Sequence, residues 1–162
     1  MKIDIITVGK LREKHFKKLT EVYLRRLNPY AKTRLLMVAD EPVPVRLSEA
    51  EKMAVLRREE DRIKRHLTSM TSDSYLVALD VAGKLYSSEE LACHLDQLAT
   101  RGRSRLVFVI GGPLGLSPGL LKRANLRLSL SPLTFPHEMV PVLLLEQLYR
   151  SFKIIRGEPY HK

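Results

Sequence analysis

The sequence of 162 residues contains one cysteine, Cys93, and no tryptophan. A single cysteine cannot form an intrachain disulfide, which favours a protein of a reducing compartment. No apolar run is long enough to cross a bilayer, and no signal-peptide pattern or Arg-rich leader is present. These absences argue against a disulfide-stabilised secreted domain and against a membrane protein, so we expect a cytoplasmic protein.

Common phosphate-binding and metal-binding motifs are also missing. The glycine-rich segment that begins at Gly111 lacks the following Lys-Ser/Thr pair of a P-loop, and the chain has no G-x-G-x-x-G fingerprint. Both absences argue against an ATP-hydrolysing enzyme and against an NAD enzyme. The five histidines and the single cysteine show no spacing typical of zinc ligands, so we predict no metal site.

Positive charge is abundant and unevenly distributed. The 28 Lys and Arg residues outnumber 18 Asp and Glu residues, and residues 97–137 contain no carboxylate. A basic, cytoplasmic protein favours a nucleic-acid partner, although a merely basic soluble surface is the alternative. The candidate RNA-binding residues are Arg101, Arg103, Lys122, Arg123 and His137. Two loops that are candidates for a ligand site, after Ile110 and after Leu130, fall in the same stretch. We therefore expect this patch to lie beside a small-molecule pocket.

Short apolar segments alternate with amphipathic ones along the whole chain. This alternation predicts one α/β domain over residues 1–162, with a mainly parallel sheet flanked by helices. The predicted strands are Ile3–Val8, Arg34–Val38, Tyr75–Leu79, Leu106–Ile110 and Arg127–Leu130. The predicted helices cover Phe16–Leu27, a long charged segment after Ser48, a segment after Ser87, Ser117–Ala124 and Glu138–Ile155.

The last predicted helix, Glu138–Ile155, is apolar around most of its circumference. Such a helix must be buried on more than one side. A second copy of the chain would cover the extra side, and closed two-fold dimers are the commonest oligomers, so we predict a homodimer. The alternative is a helix that is central to its own domain.

Three loops are candidates for a ligand site, because ligands of open α/β sheets bind beyond the carboxyl ends of strands. They follow Leu79, Ile110 and Leu130. After Ile110, two glycines allow another backbone or a ligand to approach closely, although a simple strand-end turn would also use them. After Leu130, two prolines make the loop rigid. An apolar pocket with exposed backbone suits an adenine ring and a thioether better than a triphosphate.

Three segments carry a resemblance to a known family: Gly111-Gly112-Pro113, Thr134-Phe135-Pro136-His137 and the terminal Arg156–Lys162. The chain resembles the small SPOUT-class methyltransferases that modify a pseudouridine in helix 69 of 23S ribosomal RNA. The resemblance implies a C-terminal trefoil knot, a homodimer, the ribosome as substrate and S-adenosylmethionine as cofactor. It implies cofactor contacts at Leu79, Gly111, Gly112, Pro113, Leu130, Ser131, Pro132, Leu133, Thr134 and Phe135.

The same resemblance implies that the terminal segment helps to build the site where the target base meets the cofactor. Methylation of the pseudouridine N3 requires help in removing a weakly acidic proton. His161 is the candidate base and Tyr160 a candidate stacking ring, while Arg150 or Arg156 would stabilise negative charge on the neighbouring carbonyl oxygens. A frayed chain end is the alternative for this segment.

One position departs from the family pattern. Family members carry arginine where this chain has Pro141. Proline is well tolerated in the first turn of a helix, so the fold need not change. The missing arginine leaves open a non-catalytic, basic RNA-binding or ribosome-associated module with the same fold.

Overall fold

The computed structural model describes residues 1–160, which form a five-stranded sheet in the order β2-β1-β4-β3-β5. All the strand pairs are parallel. The strands are β1 (Lys2–Val8), β2 (Lys32–Val38), β3 (Ser74–Leu85), β4 (Arg105–Ile110) and β5 (Leu126–Ser129). The predicted α/β architecture with a mainly parallel sheet is confirmed, whereas the trefoil knot remains a prediction.

Helices cover both faces of the sheet. The helices are α1 (Lys14–Leu27), α2 (Glu49–Leu67), α3 (Ser88–Thr100), α4 (Pro118–Arg123) and α5 (Met139–Ile155). One apolar core joins the sheet to α1, α3 and α5, and a second joins it to α2 and α4. Leu106 and Phe108 of β4 enter the first core, and Val107 and Val109 enter the second. A continuous apolar strand is what a sheet covered on both faces requires.

The two predicted helix starts at Ser48 and Ser87 are confirmed as capping boxes. In each, the serine hydroxyl accepts a hydrogen bond from the backbone of the third helical residue, whose glutamate bonds back to the serine N–H. These reciprocal bonds satisfy donors that the first turn leaves free.

Strand β3 continues to Leu85, six residues beyond the predicted end at Leu79. A bulge shifts its register, so that Leu128 of β5 pairs with both Leu79 and Lys84. Gly83 makes this possible, since a Cβ there would lie 2.7 Å from the backbone of Arg127. The Val81–Lys84 stretch resembles a turn in sequence because the glycine interrupts the apolar pattern.

Helix α5 packs between α1 and α3 on one face of the sheet. Leu144, Leu145 and Leu148 are fully buried in the same core as Leu27 of α1 and Leu95 of α3. Met139, Leu143 and Ile154 of the same helix are only half-buried, and Ile155 is exposed, so the chain covers part of the apolar surface of α5 and leaves part of it open. Both a helix central to its own domain and a helix at a dimer interface remain open, and the homodimer remains a prediction. None of the described helices is long and apolar enough to cross a membrane.

Candidate active site

A cavity of about 300 Å³ lies at the carboxyl edge of the sheet, beyond β4, β3 and β5. Nine of the ten predicted cofactor contacts line it: Leu79, Gly111, Gly112, Pro113, Leu130, Ser131, Leu133, Thr134 and Phe135. Pro132 is exposed and does not line the cavity. The carboxyl edge is the place where open α/β sheets bind ligands.

The turn after β4 closes on its own backbone. The N–H of Gly115 donates to the carbonyl oxygen of Gly112 at 2.9 Å. A Cβ on Gly111 would lie 2.4 Å from the carbonyl oxygen of Gly115. A glycine at this position allows close approach either of another backbone segment or of a ligand. The structure supports the first, because the backbone of Gly115 occupies the space beside Gly111.

A buried carboxylate lies against this turn. Glu59 of α2 is only 3% exposed, and both of its carboxylate oxygens lie 3.4 Å from the position of a Cβ on Gly112. One of these oxygens accepts a hydrogen bond from the Glu41 N–H at 3.1 Å. Burial raises the pKa of the Glu59 carboxyl. Gly112 is therefore packed tightly, with the side chain of Val8 3.2 Å from the same Cβ position.

The loop after β5 forms the opposite wall of the cavity. The Ser129 hydroxyl donates to the carbonyl oxygen of Ser131 at 3.1 Å, and the Ser131 hydroxyl accepts from the Leu133 N–H at 3.0 Å. These local bonds, with the prolines at 132 and 136, hold the loop in one shape. Leu133 is 70% exposed, so it lies at the rim.

Several lining residues were missed in the sequence analysis: Asp80, Val81, Ile110, Gly115, Leu116, Leu128 and Val140. Asp80 is the only acid among them, and its carboxylate accepts from Arg127 Nη2 at 2.5 Å and Nε at 2.8 Å. A carboxylate directly after the predicted strand, Tyr75–Leu79, was the signal that could have identified it.

His137 separates this cavity from a second one of about 370 Å³. Its imidazole Nε2 lies 2.8 Å from the position of a Cβ on Gly9, which has a φ of 90°. Gly9 is thus needed both for its left-handed backbone and for the space that His137 fills. The residues lining the second cavity are Gly9, Lys10, Arg12, Glu13, Phe16, Asp40, Pro136, His137 and Glu138.

The other predicted RNA-binding residues lie elsewhere. Arg101 ends α3 and Arg103 precedes β4, where its guanidinium donates to the carbonyl of Ser72. Lys122 and Arg123 end α4, just before β5. Residues that precede parallel strands lie at the amino edge of the sheet, opposite the ligand edge. None of these four residues lines the cavity of its own chain, whereas His137 does, and RNA contact by all five remains a prediction.

Two of the residues predicted to act in catalysis, Arg150 on α5 and Tyr160 in the segment after it, lie close together. Arg150 Nη2 donates to Glu146 Oε1 at 2.5 Å, and the Tyr160 hydroxyl donates to the same oxygen at 3.2 Å. The guanidinium of Arg150 lies 4.8 Å from the centre of the Tyr160 ring. Burial, with hydrogen bonds to Tyr23 and Glu146, raises the pKa of Tyr160. A phenol with a raised pKa stays protonated near neutral pH and is unsuited to act as a base.

Arg156 lies at the end of α5, with its guanidinium 4.6 Å from the centre of the Tyr30 ring. His161, the candidate base, lies outside the described residues. Arg150 is ten residues along α5 from Val140 of the cavity, a rise of about 15 Å. Among the described residues, neither Tyr160, Arg150 nor Arg156 lines the cavity of its own chain.

Comparison with known proteins places these features in a family. The family model for predicted SPOUT methyltransferases matches residues 1–161. The chain belongs to this SPOUT methyltransferase family. SPOUT relatives from Listeria monocytogenes and Bacillus pumilus, each called ribosomal RNA large subunit methyltransferase H, are 50% and 48% identical over 162 residues and are matched along their full lengths.

The solved structures show a similar fold. A probable methylase family protein from Haemophilus influenzae superposes with a TM-score of 0.54 at 15% sequence identity, over 99% of this chain and 70% of that chain. At this identity the likeness concerns the SPOUT fold alone.

A SPOUT methyltransferase requires a methyl donor, and the first cavity has suitable properties. Its walls combine apolar side chains such as Leu79, Ile110 and Leu130 with the backbone of two rigid turns. Its volume lies at the lower end of the range for small-molecule sites. No group of three or more His, Cys, Asp or Glu residues suited to a metal ion occurs in residues 1–160.

Proposed function

We propose that this protein is a cytoplasmic, homodimeric methyltransferase that uses S-adenosylmethionine to methylate N3 of a pseudouridine in helix 69 of 23S ribosomal RNA. The observation that carries the proposal is the cavity at the carboxyl edge, which gathers nine of the ten residues expected to contact the cofactor. Two relatives of about 50% identity over the full length, named as large-subunit rRNA methyltransferases, support the same substrate.

The cavity residues would bind and orient the cofactor. Leu79, Ile110 and Leu130 offer apolar surface for an adenine ring, and the residues 130–135 offer backbone groups beside it. Bound S-adenosylmethionine supplies an activated methyl group. Leu133 and Phe135 at the opening would exclude water from it, so that the target nitrogen is the main nucleophile within reach.

The terminal segment would assist proton removal from N3. His161 would accept the proton, and Arg150 or Arg156 would stabilise the negative charge that develops on the adjacent carbonyl oxygens. Tyr160, as a neutral phenol held by Glu146, would provide a stacking surface for a base. Since this cluster is about 15 Å from the cavity along α5, it would serve the cavity of the partner subunit in a dimer.

A second candidate function is an RNA-binding module without catalysis. Pro141 favours it: this residue is buried in the first turn of α5, at a position where the resemblance described above implies an arginine. Such a module would bind ribosomes but would transfer no methyl group to their RNA.

A tritiated-methyl assay on ribosomes that lack the modification separates the two. We expect incorporation into 23S rRNA, mapped to helix 69, and no incorporation into ribosomes that already carry the methyl group. Calorimetric titration with S-adenosylmethionine tests the cofactor independently of the RNA. Cofactor binding without methyl transfer to ribosomes would favour the RNA-binding module, and absence of both would contradict the proposal.

A further inference from the structure

The second cavity lies beside the cofactor cavity on the same edge of the sheet. It spans the carboxyl ends of β1 and β2, whereas the cofactor cavity spans those of β4, β3 and β5. His137 lines both cavities, so the two are neighbours with one imidazole between them. If the reacting nucleoside of an RNA strand lay at the first cavity, the neighbouring nucleotides of that strand would lie at the opening of the second cavity.

The loop that forms this second cavity is held in place from the far end of the chain. The Glu138 carboxylate accepts hydrogen bonds from the backbone N–H groups of Arg12 at 2.7 Å and Glu13 at 2.9 Å. These bonds cap α1, whose own N-cap residue Glu13 makes no side-chain cap bond. They lower the pKa of Glu138, which therefore remains ionised and engaged by the backbone. The loop of residues 9–13 is thus a fixed platform.

Two exposed cations lie on this platform, and Arg12 lies close enough to the Glu138 carboxylate to interact with its charge. Lys10 and Arg12 are exposed, and neither makes an ion pair with any of residues 1–160. Other basic residues are paired, such as Arg127 with Asp80 and Arg105 with Asp4, whereas further exposed cations such as Lys14 and Arg101 form no ion pair among the described residues. Three carboxylates also line the cavity: Glu138 accepts the two backbone hydrogen bonds, Glu13 lies 3.9 Å from the His15 imidazole, and Asp40 follows β2. Of the groups that line the cavity, Lys10 and Arg12 are the ones that would contact an anion.

We propose that this second cavity binds the backbone of the RNA strand next to the methylated nucleoside, with Lys10 and Arg12 contacting its phosphates. Exposed, unpaired cations on a rigid loop are suited to phosphate contacts, which fix the position of a nucleic acid without reading its sequence. The half-buried ring of Phe16 lines the same cavity and offers apolar surface for a ribose or base. This inference rests on the proposed RNA substrate.

The test is a double variant, Lys10→Gln with Arg12→Gln, in the full-length protein. We expect the KM for ribosomes to rise about tenfold or more at about 0.1 M salt, with kcat and S-adenosylmethionine affinity unchanged. Ribosome binding should also lose about 1 unit of salt slope for each cation removed. The matched control is Lys14→Gln with Lys18→Gln, which removes two exposed cations of α1 that do not line the cavity.

Three results have distinct meanings. An unchanged KM and salt slope in the double variant, or an equal change in the control, would overturn the subsite. A wild-type protein that binds ribosomes without transferring a methyl group would refute the proposed function. In that case the subsite would still stand if the double variant, and not the control, lost salt-dependent binding to ribosomes. Circular dichroism of the double variant checks that the fold is intact.

Discussion

The two edges of the sheet use similar residues in different ways. At the amino edge, charged side chains hold the structure together: Arg105 donates to Asp4 at 2.6 Å and to the carbonyl of Ser69 at 2.6 Å, and Arg103 donates to Ser72. At the carboxyl edge, the backbone builds the cavity through the turn at Gly111. Charge counted along a sequence therefore does not locate a functional surface, because an arginine before a strand and a lysine after one lie on opposite edges.

The difference extends to how the charges are neutralised. Asp4 is 2% exposed and lies between Arg34 and Arg105. Burial alone would raise the pKa of Asp4, but the hydrogen bonds from both arginines outweigh it and lower the pKa below its usual value. At the carboxyl edge, the exposed Lys10 and Arg12 have no such partner among the described residues. The amino edge thus contains a structural ion-pair network, and Lys10 and Arg12 at the carboxyl edge do not belong to one.

The largest effect is expected from a side chain at Gly111. In Gly111→Val the new Cβ would overlap the backbone of Gly115, so the turn must move and the cofactor cavity must change shape. We expect S-adenosylmethionine affinity to fall about 100-fold, or about 2.7 kcal/mol, in a calorimetric titration. Gly102→Ala at the amino edge is the matched control: its φ is 77° and its Cβ meets open space, so stability should drop by about 1 kcal/mol without loss of affinity. Unchanged affinity in Gly111→Val would contradict the assignment of the cavity.

Deletion of Tyr160–Lys162 should reduce methyl transfer by about 100-fold, because a stacking ring and the candidate base are removed together. Fold and cofactor affinity should be nearly unchanged, since Tyr160 contacts the surface of α5 through Tyr149 and Glu146 rather than the core. The tritiated-methyl assay measures the first effect and calorimetry the second. Tyr160→Phe is the control: it keeps the ring and removes only the hydroxyl, so it should retain most activity. Transfer at the full rate by the truncated protein would mean that the terminal segment has no catalytic role.

Asp4→Asn tests the structural role of the amino edge. The variant leaves Arg105 without its carboxylate partner, and we expect the free energy of unfolding to fall by about 2 kcal/mol in urea titrations at pH 7. Because the pKa of Asp4 is lowered on folding, its contribution is present above the unfolded pKa of about 3.9 and is lost as pH falls through the folded value. The difference between wild type and variant should therefore shrink below about pH 4. Asp96→Asn, at an exposed site on α3, should show neither effect.

The smallest effect is expected from Arg101, Lys122 and Arg123. Replacing all three by glutamine should lower ribosome affinity by only a few-fold at about 0.1 M salt and leave S-adenosylmethionine affinity unchanged, because these residues lie at the edge opposite the cavity. Sedimentation of ribosomes with bound protein over a range of salt concentrations measures it. A loss larger than that of the Lys10 and Arg12 double variant would show that RNA lies mainly across the amino edge, and the contrast between the edges would then be wrong.

Local features of the fold were predictable from sequence, while relations between distant segments were not. The capping boxes at Ser48 and Ser87 and the buried run Leu106–Ile110 depend on neighbouring residues, and all are confirmed. The extension of β3 past Leu79 depends on the approach of Arg127 to Gly83, a contact that hydrophobic periodicity does not encode. The sequence showed that α5 has a broad apolar surface, but it could not show whether the same chain or a second chain covers that surface.

The candidate site shows the same division. The turn at Gly111 and the loop after Leu130 were found because glycine and proline leave a local signature and because ligand sites follow strands. The cations were placed beside the pocket on the basis of sequence proximity alone, although Arg103 comes before β4 and so had to lie at its amino end. The second cavity was missed because Lys10 and Glu138 meet only in the folded chain.

The strand order also determines when the protein can fold during its synthesis. Strand β1 pairs with β2 on one side and with β4 on the other, so that Lys2 lies beside Arg105. At typical translation rates of about 5–20 residues per second, the nascent chain holds β1 with at least one edge unpaired for about 5–20 seconds. An open apolar edge of this kind is a template for pairing with other chains. Strand β1 is the first to leave the ribosome, but its second edge is paired only after β4 has been synthesised. One of its faces is fully covered only after α5 has been synthesised.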